Sequence, residues 1–303
     1  MTTQTIVYFK NGLGNFIEMT PSMIAVASMD PSGKVDVLLD PQWIDSRREA
    51  FEDILRNWDI IEDVIMFPKD QIKKDYTRWF YSKHTEESEG LKLFEEKAPL
   101  FGQRINWKRG LVNEIDYYMN LAREQGFKQP TPPQSCPLAD TPILADGLKI
   151  GLCNGAFGIQ RDAKQWYYFK RLSEVLKLWY TNCTIIKIGN GKELSEVNTG
   201  IDYVGKLSMT QTAKVISQLD LLITTDTGNM HIADALNIPQ VILWGPTLVS
   251  KNGPRNHTST LVRTQLPCQP CQYTNKFTGC QTRECMRGIT IGDVMHHVRK
   301  RLA

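Results

Sequence analysis

The sequence predicts an α/β chain of two doubly wound domains, and three observations carry the prediction. Residues 5–39 read as strand, glycine-rich turn, helix and strand. The stretch from Leu219 to Pro254 repeats that order with different residues. Between them Gln129–Ala145 carries prolines at 130, 132, 133, 137 and 142, the composition of a linker. The expected boundaries are 1–140 and 141–290, with a separate helix over 291–303.

In the first domain Thr5–Phe9 is a β-branched and aromatic strand, followed by the turn Lys10-Asn11-Gly12-Leu13-Gly14-Asn15. Phe16, Ile17, Met19, Met23, Ile24, Val26 and Ala27 recur at helical spacing, with Pro21 tolerated only near the first turn. Lys34–Leu39 is the second strand, Trp43–Asp59 an amphipathic helix and Asp63–Phe67 a third strand. The turn after the first strand lies at the carboxyl edge, where open α/β sheets bind ligands. Its glycines do not form G-x-G-x-x-G, the dinucleotide fingerprint. Residues 69–128 read as helices and loops, their aromatics as core. In the second domain Leu148–Cys153 is a strand, Tyr167–Leu178 a helix and Thr184–Ile188 a strand. Lys192–Val197 is helical, Tyr203 and Val204 strand-like, and Thr210–Gln218 a helix. The chain closes with the basic amphipathic helix Ile291–Leu302.

Composition bounds the class. At 303 residues, with 41% hydrophobic and 23% charged residues, the chain can bury a core without staples. Met1-Thr2-Thr3-Gln4 lacks a signal peptide's basic and apolar regions, and no apolar run approaches membrane-spanning length. Seven cysteines, an odd number without a secretion signal, suit a reducing cytoplasm. The net charge of +3 is unevenly spread: residues 1–145 hold 17 Lys and Arg against 22 Asp and Glu, and residues 146–303 hold 19 against 11. A basic second half suits a phosphate-bearing ligand, and an acidic first half is a poor surface for a nucleic-acid backbone.

The run Leu219–Ile223 has the length and branching of a buried parallel strand, and Gln240–Trp244 is a second. Between them Thr224-Thr225-Asp226-Thr227-Gly228 leads into a short helix containing Met230, Ile232, Ala233, Ala235 and Leu236. Free N–H groups and the helix dipole make such a helix start an anion site. Asp226 in that position either caps the helix or faces a hydroxyl-rich ligand. His231, one turn in, can reach the same pocket.

Asp226-Thr227-Gly228-Asn229-Met230-His231, with Ala233, Ala235, Leu236, Pro239 and Gly245-Pro246-Thr247, resembles the hallmark of glycosyltransferase family 9. Gly12-Leu13-Gly14-Asn15-Phe16-Ile17 with Thr20-Pro21 is similar to that family's N-terminal turn and helix. Arg161, Lys164 and Trp166 resemble its basic donor loop, and Gly205-Lys206-Leu207-Ser208 the segment before the hallmark helix. The resemblance covers nearly the whole chain and is strongest from 148 to 290. It implies the GT-B fold, two Rossmann-like domains facing across a cleft, and inverting, metal-independent transfer from a nucleoside-diphosphate sugar. The implied donor set is Asn154, Gly155, Arg161, Lys164, Asn190, Glu193, Leu207, Asp226, Thr227, Gly228 and His231. Asp226 would accept from sugar hydroxyls, Thr227 and Gly228 would offer N–H groups to phosphate, and Lys164 would neutralise the departing diphosphate. The implied acceptor is a glycan of lipopolysaccharide or surface-polysaccharide type, met by Gly14 and Asn15. The implied location is the cytoplasm, including the inner membrane face.

One position departs from the family. Its usual Asp general base is here Asn15, and an amide cannot take a proton at neutral pH. Glu18, one turn on, could substitute, although a first-turn glutamate also serves the helix dipole. Alternatively, Asn15 only orients the acceptor, or the chain binds sugar nucleotides without turnover. A modified DNA base is a further acceptor to weigh, with Lys73, Lys74, Arg78, Lys108 and Arg109 as its local basic patch. Cys268, Cys271, Cys280 and Cys285, spaced x2, x8 and x4, suit a structural zinc, with buried core thiols as the alternative.

Overall fold

Short apolar runs separated by helices favour parallel pairing, because each helical crossover returns the chain to the end of the sheet where the last strand began. The computed structural model describes residues 3–9, 12–40, 48–66, 72, 74–81, 112–141, 143–154, 161–189 and 194–303. The chain divides into two units, Met1–Pro137 and Leu138–Ala303.

In the first unit, strands β1 (Thr5–Phe9), β2 (Val35–Leu39), β3 (Ile61–Met66) and β4 (Arg78–Tyr81) form a parallel sheet in the order β3-β2-β1-β4. Every residue of β1 and β2 is buried, as a strand covered on both faces requires. The order reverses at β1, so the crevice rule places a ligand at its carboxyl end. Helix α1 (Leu13–Ser28) starts there, and α2 (Arg48–Arg56) joins β2 to β3. Helix α3 (Glu114–Glu124) packs along α1, and Asn113 caps it by accepting from the Ile115 N–H at 3.1 Å.

Two expectations for this unit change. The stretch read as helices and loops contains β4, whose Trp79 and Phe80 are buried strand residues. Helix α1 runs straight through Pro21, where only a first-turn proline was expected. Proline has no N–H to offer the Ile17 carbonyl, and the Thr20 hydroxyl donates to that carbonyl instead, at 2.7 Å. The Ser135 N–H in turn donates to Thr20 Oγ1 at 3.0 Å.

The second unit holds strands β5 (Lys149–Cys153), β6 (Thr184–Lys187), β7 (Ile201–Asp202), β8 (Leu221–Thr225), β9 (Gln240–Leu243) and β10 (Ser259–Val262). All pair in parallel, in the order β10-β9-β8-β5-β6-β7. The switch point lies between β5 and β8, whose register sets Cys153 opposite Thr224. Around the sheet lie α4 (Arg161–Lys164), α5 (Phe169–Trp179), α6 (Met209–Ile216), α7 (Gly228–Ala235) and α8 (Val249–Asn252). They are followed by α9 (Asn275–Gly279), α10 (Glu284–Arg287) and α11 (Ile291–Leu302). Ile150, Leu152, Leu172, Leu176, Ile223, Leu243, Met286, Val294 and Val298 belong to one buried core, so α5, α10 and α11 close over the sheet.

Strand β7 is Ile201–Asp202 rather than Tyr203-Val204, which fall just beyond it. Strand β10 had no counterpart in the expected elements, because Ser259-Thr260-Leu261-Val262 is half polar. Of the expected helix Lys192–Val197 only residues 194–197 are described, as a short turn. No described helix is long and apolar enough to cross a membrane.

Candidate active site

Because β5 and β8 are neighbours at the switch point, the residues that follow them, Asn154 and Asp226, leave the sheet at the same end. Asp226 is buried, 4% exposed, immediately before α7. The N-cap of α7 is Thr227, with no side-chain capping bond, so Asp226 does not cap the helix. Its Oδ2 instead accepts from Lys164 Nζ at 2.8 Å and from the Thr247 hydroxyl at 2.7 Å. Lys164 and Thr247 are themselves 8% and 1% exposed. Burial pushes the Asp226 carboxyl upward, but the Lys164 charge and hydrogen bond, with Thr247, outweigh it and hold the group below the usual carboxylate range.

His231, 4% exposed and one turn into α7, is pulled down to about 4 by burial, against the attraction of Asp226 and with repulsion from Lys164. It is neutral at pH 7. The cluster thus holds one ammonium, one carboxylate and one neutral imidazole beside the first turn of α7. The Met230 N–H of that turn donates to the Thr227 carbonyl at 3.1 Å, and the N–H groups ahead of it, at Gly228 and Asn229, stand where a helix offers no intrahelical acceptor. Such a site can hold phosphate oxygens on the helix start and Lys164, and hydroxyls on Asp226.

Lys164 reaches this position through a backbone clasp. Asn154 accepts from the Trp166 N–H at 3.0 Å and donates to the Trp166 carbonyl at 2.8 Å. Trp166 is fully buried and donates through Nε1 to the Ile289 carbonyl at 2.9 Å. One N–H and one lone pair of the Asn154 amide, expected among donor contacts, thus hold the main chain that follows Lys164. Arg161 opens α4. Leu207 is half-buried, just before Ser208, whose side chain caps α6 in a capping box with Gln211. Gly155, Asn190, Glu193 and the Arg161 side chain lie outside the described residues.

Besides the Lys164–Asp226 pair itself, two contacts were missed by sequence reasoning. Thr247 bonds Asp226 across 21 residues, and Asn229 donates to Cys153 Sγ at 3.3 Å, tying the first turn of α7 to the end of β5. The triplet Gly245-Pro246-Thr247 stood out in the sequence, but nothing in its spacing pointed to Asp226.

In the first unit Gly14 and Asn15 occupy the first turn of α1, not a loop, and both are half-buried. Glu18 is buried within α1, only 2% exposed. Of the basic patch weighed for DNA, Lys74 is paired with buried Asp36 at 2.8 Å, while Lys73, Lys108 and Arg109 lie outside the described residues.

The four cysteines all line one cavity of the second unit, about 590 Å³ in volume. Cys268 is exposed and Cys285 buried. Among the described residues no three His, Cys, Asp or Glu side chains converge closely enough to hold a metal ion. The thiols act on one another across it: Cys285 is pushed up to about 11 by burial first and then by Cys271, Cys280 and Cys268.

The family model described as "Glycosyltransferase family 9 (heptosyltransferase)" matches residues 69–281. Lipooligosaccharide heptosyltransferase 2 of Campylobacter jejuni is 31% identical over 175 residues, covering 52% of this chain and 53% of that protein. The chain thus spans about half the length of the curated relatives it matches. Among solved structures, the glycosyl transferase family 9 protein from Veillonella parvula superposes with a TM-score of 0.76 at 18% identity, covering 99% of this chain and 97% of that one. The E. coli ADP-heptose lps heptosyltransferase II superposes at 0.70 with 18% identity, covering 99% and 100%.

Proposed function

The chain belongs to glycosyltransferase family 9, and on that premise we propose that it transfers a sugar from a nucleoside-diphosphate donor to a saccharide of lipopolysaccharide or lipooligosaccharide type. The observation that carries the proposal is the buried Lys164–Asp226–Thr247 cluster beside the start of α7. A carboxylate and an ammonium buried together at an anion-binding helix start suit a ligand that is part hydroxyl and part phosphate. In this reading the second unit binds the donor and the first the acceptor. ADP-heptose, named for the E. coli neighbour, is the first donor to test.

The chemistry is a single displacement. The acceptor hydroxyl oxygen attacks the anomeric carbon from the face opposite the diphosphate. The anomeric carbon–oxygen bond breaks, its electron pair leaves with the diphosphate, and configuration inverts. Lys164 and the first-turn N–H groups of α7 neutralise the charge that gathers on the leaving group. Asp226 holds the sugar hydroxyls, and neutral His231 lines the same pocket without adding positive charge. The hydroxyl proton goes to Glu18, which lies three residues from Asn15 and so on the same side of α1. Asn15 orients the acceptor.

A thermal-shift series with ADP, ADP-heptose and UDP-sugars tests the donor assignment, since a ligand bound only by the folded state stabilises it. The expected result is stabilisation by ADP-heptose that is lost in Lys164→Ala. Equal stabilisation of the wild type and that variant would remove Lys164 from the site. For the acceptor side, turnover by Glu18→Gln is measured against wild type, and full activity in that variant would exclude Glu18 as the base.

A further inference from the structure

We infer that Thr247 is a positioning residue for Asp226, kept in place by the segment Gln269–Gln272. The inference rests on the sugar-transfer reading above. Both donors to Asp226, the Lys164 ammonium and the Thr247 hydroxyl, converge on Oδ2. Two bonds on one oxygen fix the rotation of the carboxylate and direct the acceptor capacity of Oδ1 elsewhere. They differ in what happens when a donor binds. Lys164 is a flexible cation that phosphate oxygens attract. Thr247 is neutral, short and 1% exposed, so it has no reason to move. It keeps Asp226 oriented while Lys164 turns to the diphosphate.

Thr247 is held from several directions. Its carbonyl accepts from Trp244 Nε1 at 2.8 Å. On one side, Gly245 O accepts from Gln269 Nε2 at 2.9 Å, and Pro246 O accepts from the N–H groups of Cys271 and Gln272 at 3.0 and 3.1 Å. On the other, the Leu248 N–H donates to Gln272 Oε1 at 2.9 Å. Behind it the Met286 side chain packs onto Gly245, where a Cβ would stand 2.3 Å from Met286 Sδ. Hydrogen bonds from one segment thus bracket a single threonine. The strap also meets the N-cap of α8 at Leu248, and by fixing the main chain on both sides of Thr247 it sets the direction of the Thr247 hydroxyl.

The test compares Thr247→Val, Thr247→Ser and Gln272→Leu with the wild type, each by melting temperature and by calorimetric titration with ADP and with ADP-heptose. ADP reads the phosphate site, and ADP-heptose adds the hydroxyls that Asp226 receives. In Thr247→Val the expected result is about a tenfold weaker affinity for ADP-heptose, the cost of one hydrogen bond to a charged group, with ADP affinity unchanged. Thr247→Ser restores the wild-type ratio, and Gln272→Leu reproduces part of the loss. Parallel loss of ADP and ADP-heptose in Thr247→Val would mark a merely structural role and overturn the inference. So would an unchanged ratio in Thr247→Val. An unchanged ratio in Gln272→Leu would overturn the strap. A wild type that binds neither ligand would overturn the sugar-transfer reading itself and this inference with it.

Discussion

His231 lies beside an ionised carboxylate and still stays neutral, because removing an imidazolium from water costs more here than the Asp226 charge returns. Its folded value of about 4 lies below the ordinary 6.5. Between these values the unfolded chain binds a proton that the folded chain refuses, so stability falls as pH drops from 6.5 toward 4. Asp226, also lowered, adds a loss of the same sign below its ordinary 3.8. We expect His231→Gln to recover about 2–3 kcal/mol of the stability that the wild type loses between pH 7 and pH 4.5. Urea unfolding at the two pH values checks this, and an equal loss in both proteins would refute it. Asp226 was legible in the turn before α7 and His231 one turn into it, both facing one pocket. The pairing of Asp226 with Lys164 was not, because 62 residues separate them and only the strand order brings them together.

Helix α1 shows what a periodicity argument reads and what it misses. The apolar spacing gave a helix from the glycine turn onward, and the helix forms. The proline inside it was expected to be tolerated only near the first turn, because pattern reading counts the lost N–H and not a hydroxyl next to it. Thr20 supplies the donor that Pro21 lacks. Thr20→Val, nearly the same in shape, should therefore cost the first unit about 1–3 kcal/mol by leaving the Ile17 carbonyl and the Ser135 N–H unmatched. Denaturant midpoints measure it, and a change below about 0.5 kcal/mol would show that another group serves the carbonyl. Strands follow the same logic. Strands β8 and β9 were readable as continuous buried runs. The half-polar β10 and the short aromatic β4 lacked that signal.

At the scale of the molecule, the proline-rich linker announced two sheets, and each unit has its own strand order and buried strands. Residues 138–303 alone should therefore unfold cooperatively and retain wild-type affinity for ADP, as circular dichroism and calorimetry can check; a fragment without a melting transition would contradict this. The strand order of the second unit also has a kinetic consequence. Strand β5 finds β6 some 30 residues on, and β8 finds β9 within 20, but β5 and β8 meet only across about 70 residues. Local pairs close quickly and distant ones slowly, since chain entropy is lost before the contact forms. The β5–β6–β7 half, with Asn154 and Lys164, and the β8–β9–β10 half, with Asp226 and Thr247, can therefore each nucleate alone. The Lys164–Asp226 pair joins them only when the central seam closes. A ligand gripping both halves would leave the rate of folding almost untouched and would chiefly slow the opening of that seam.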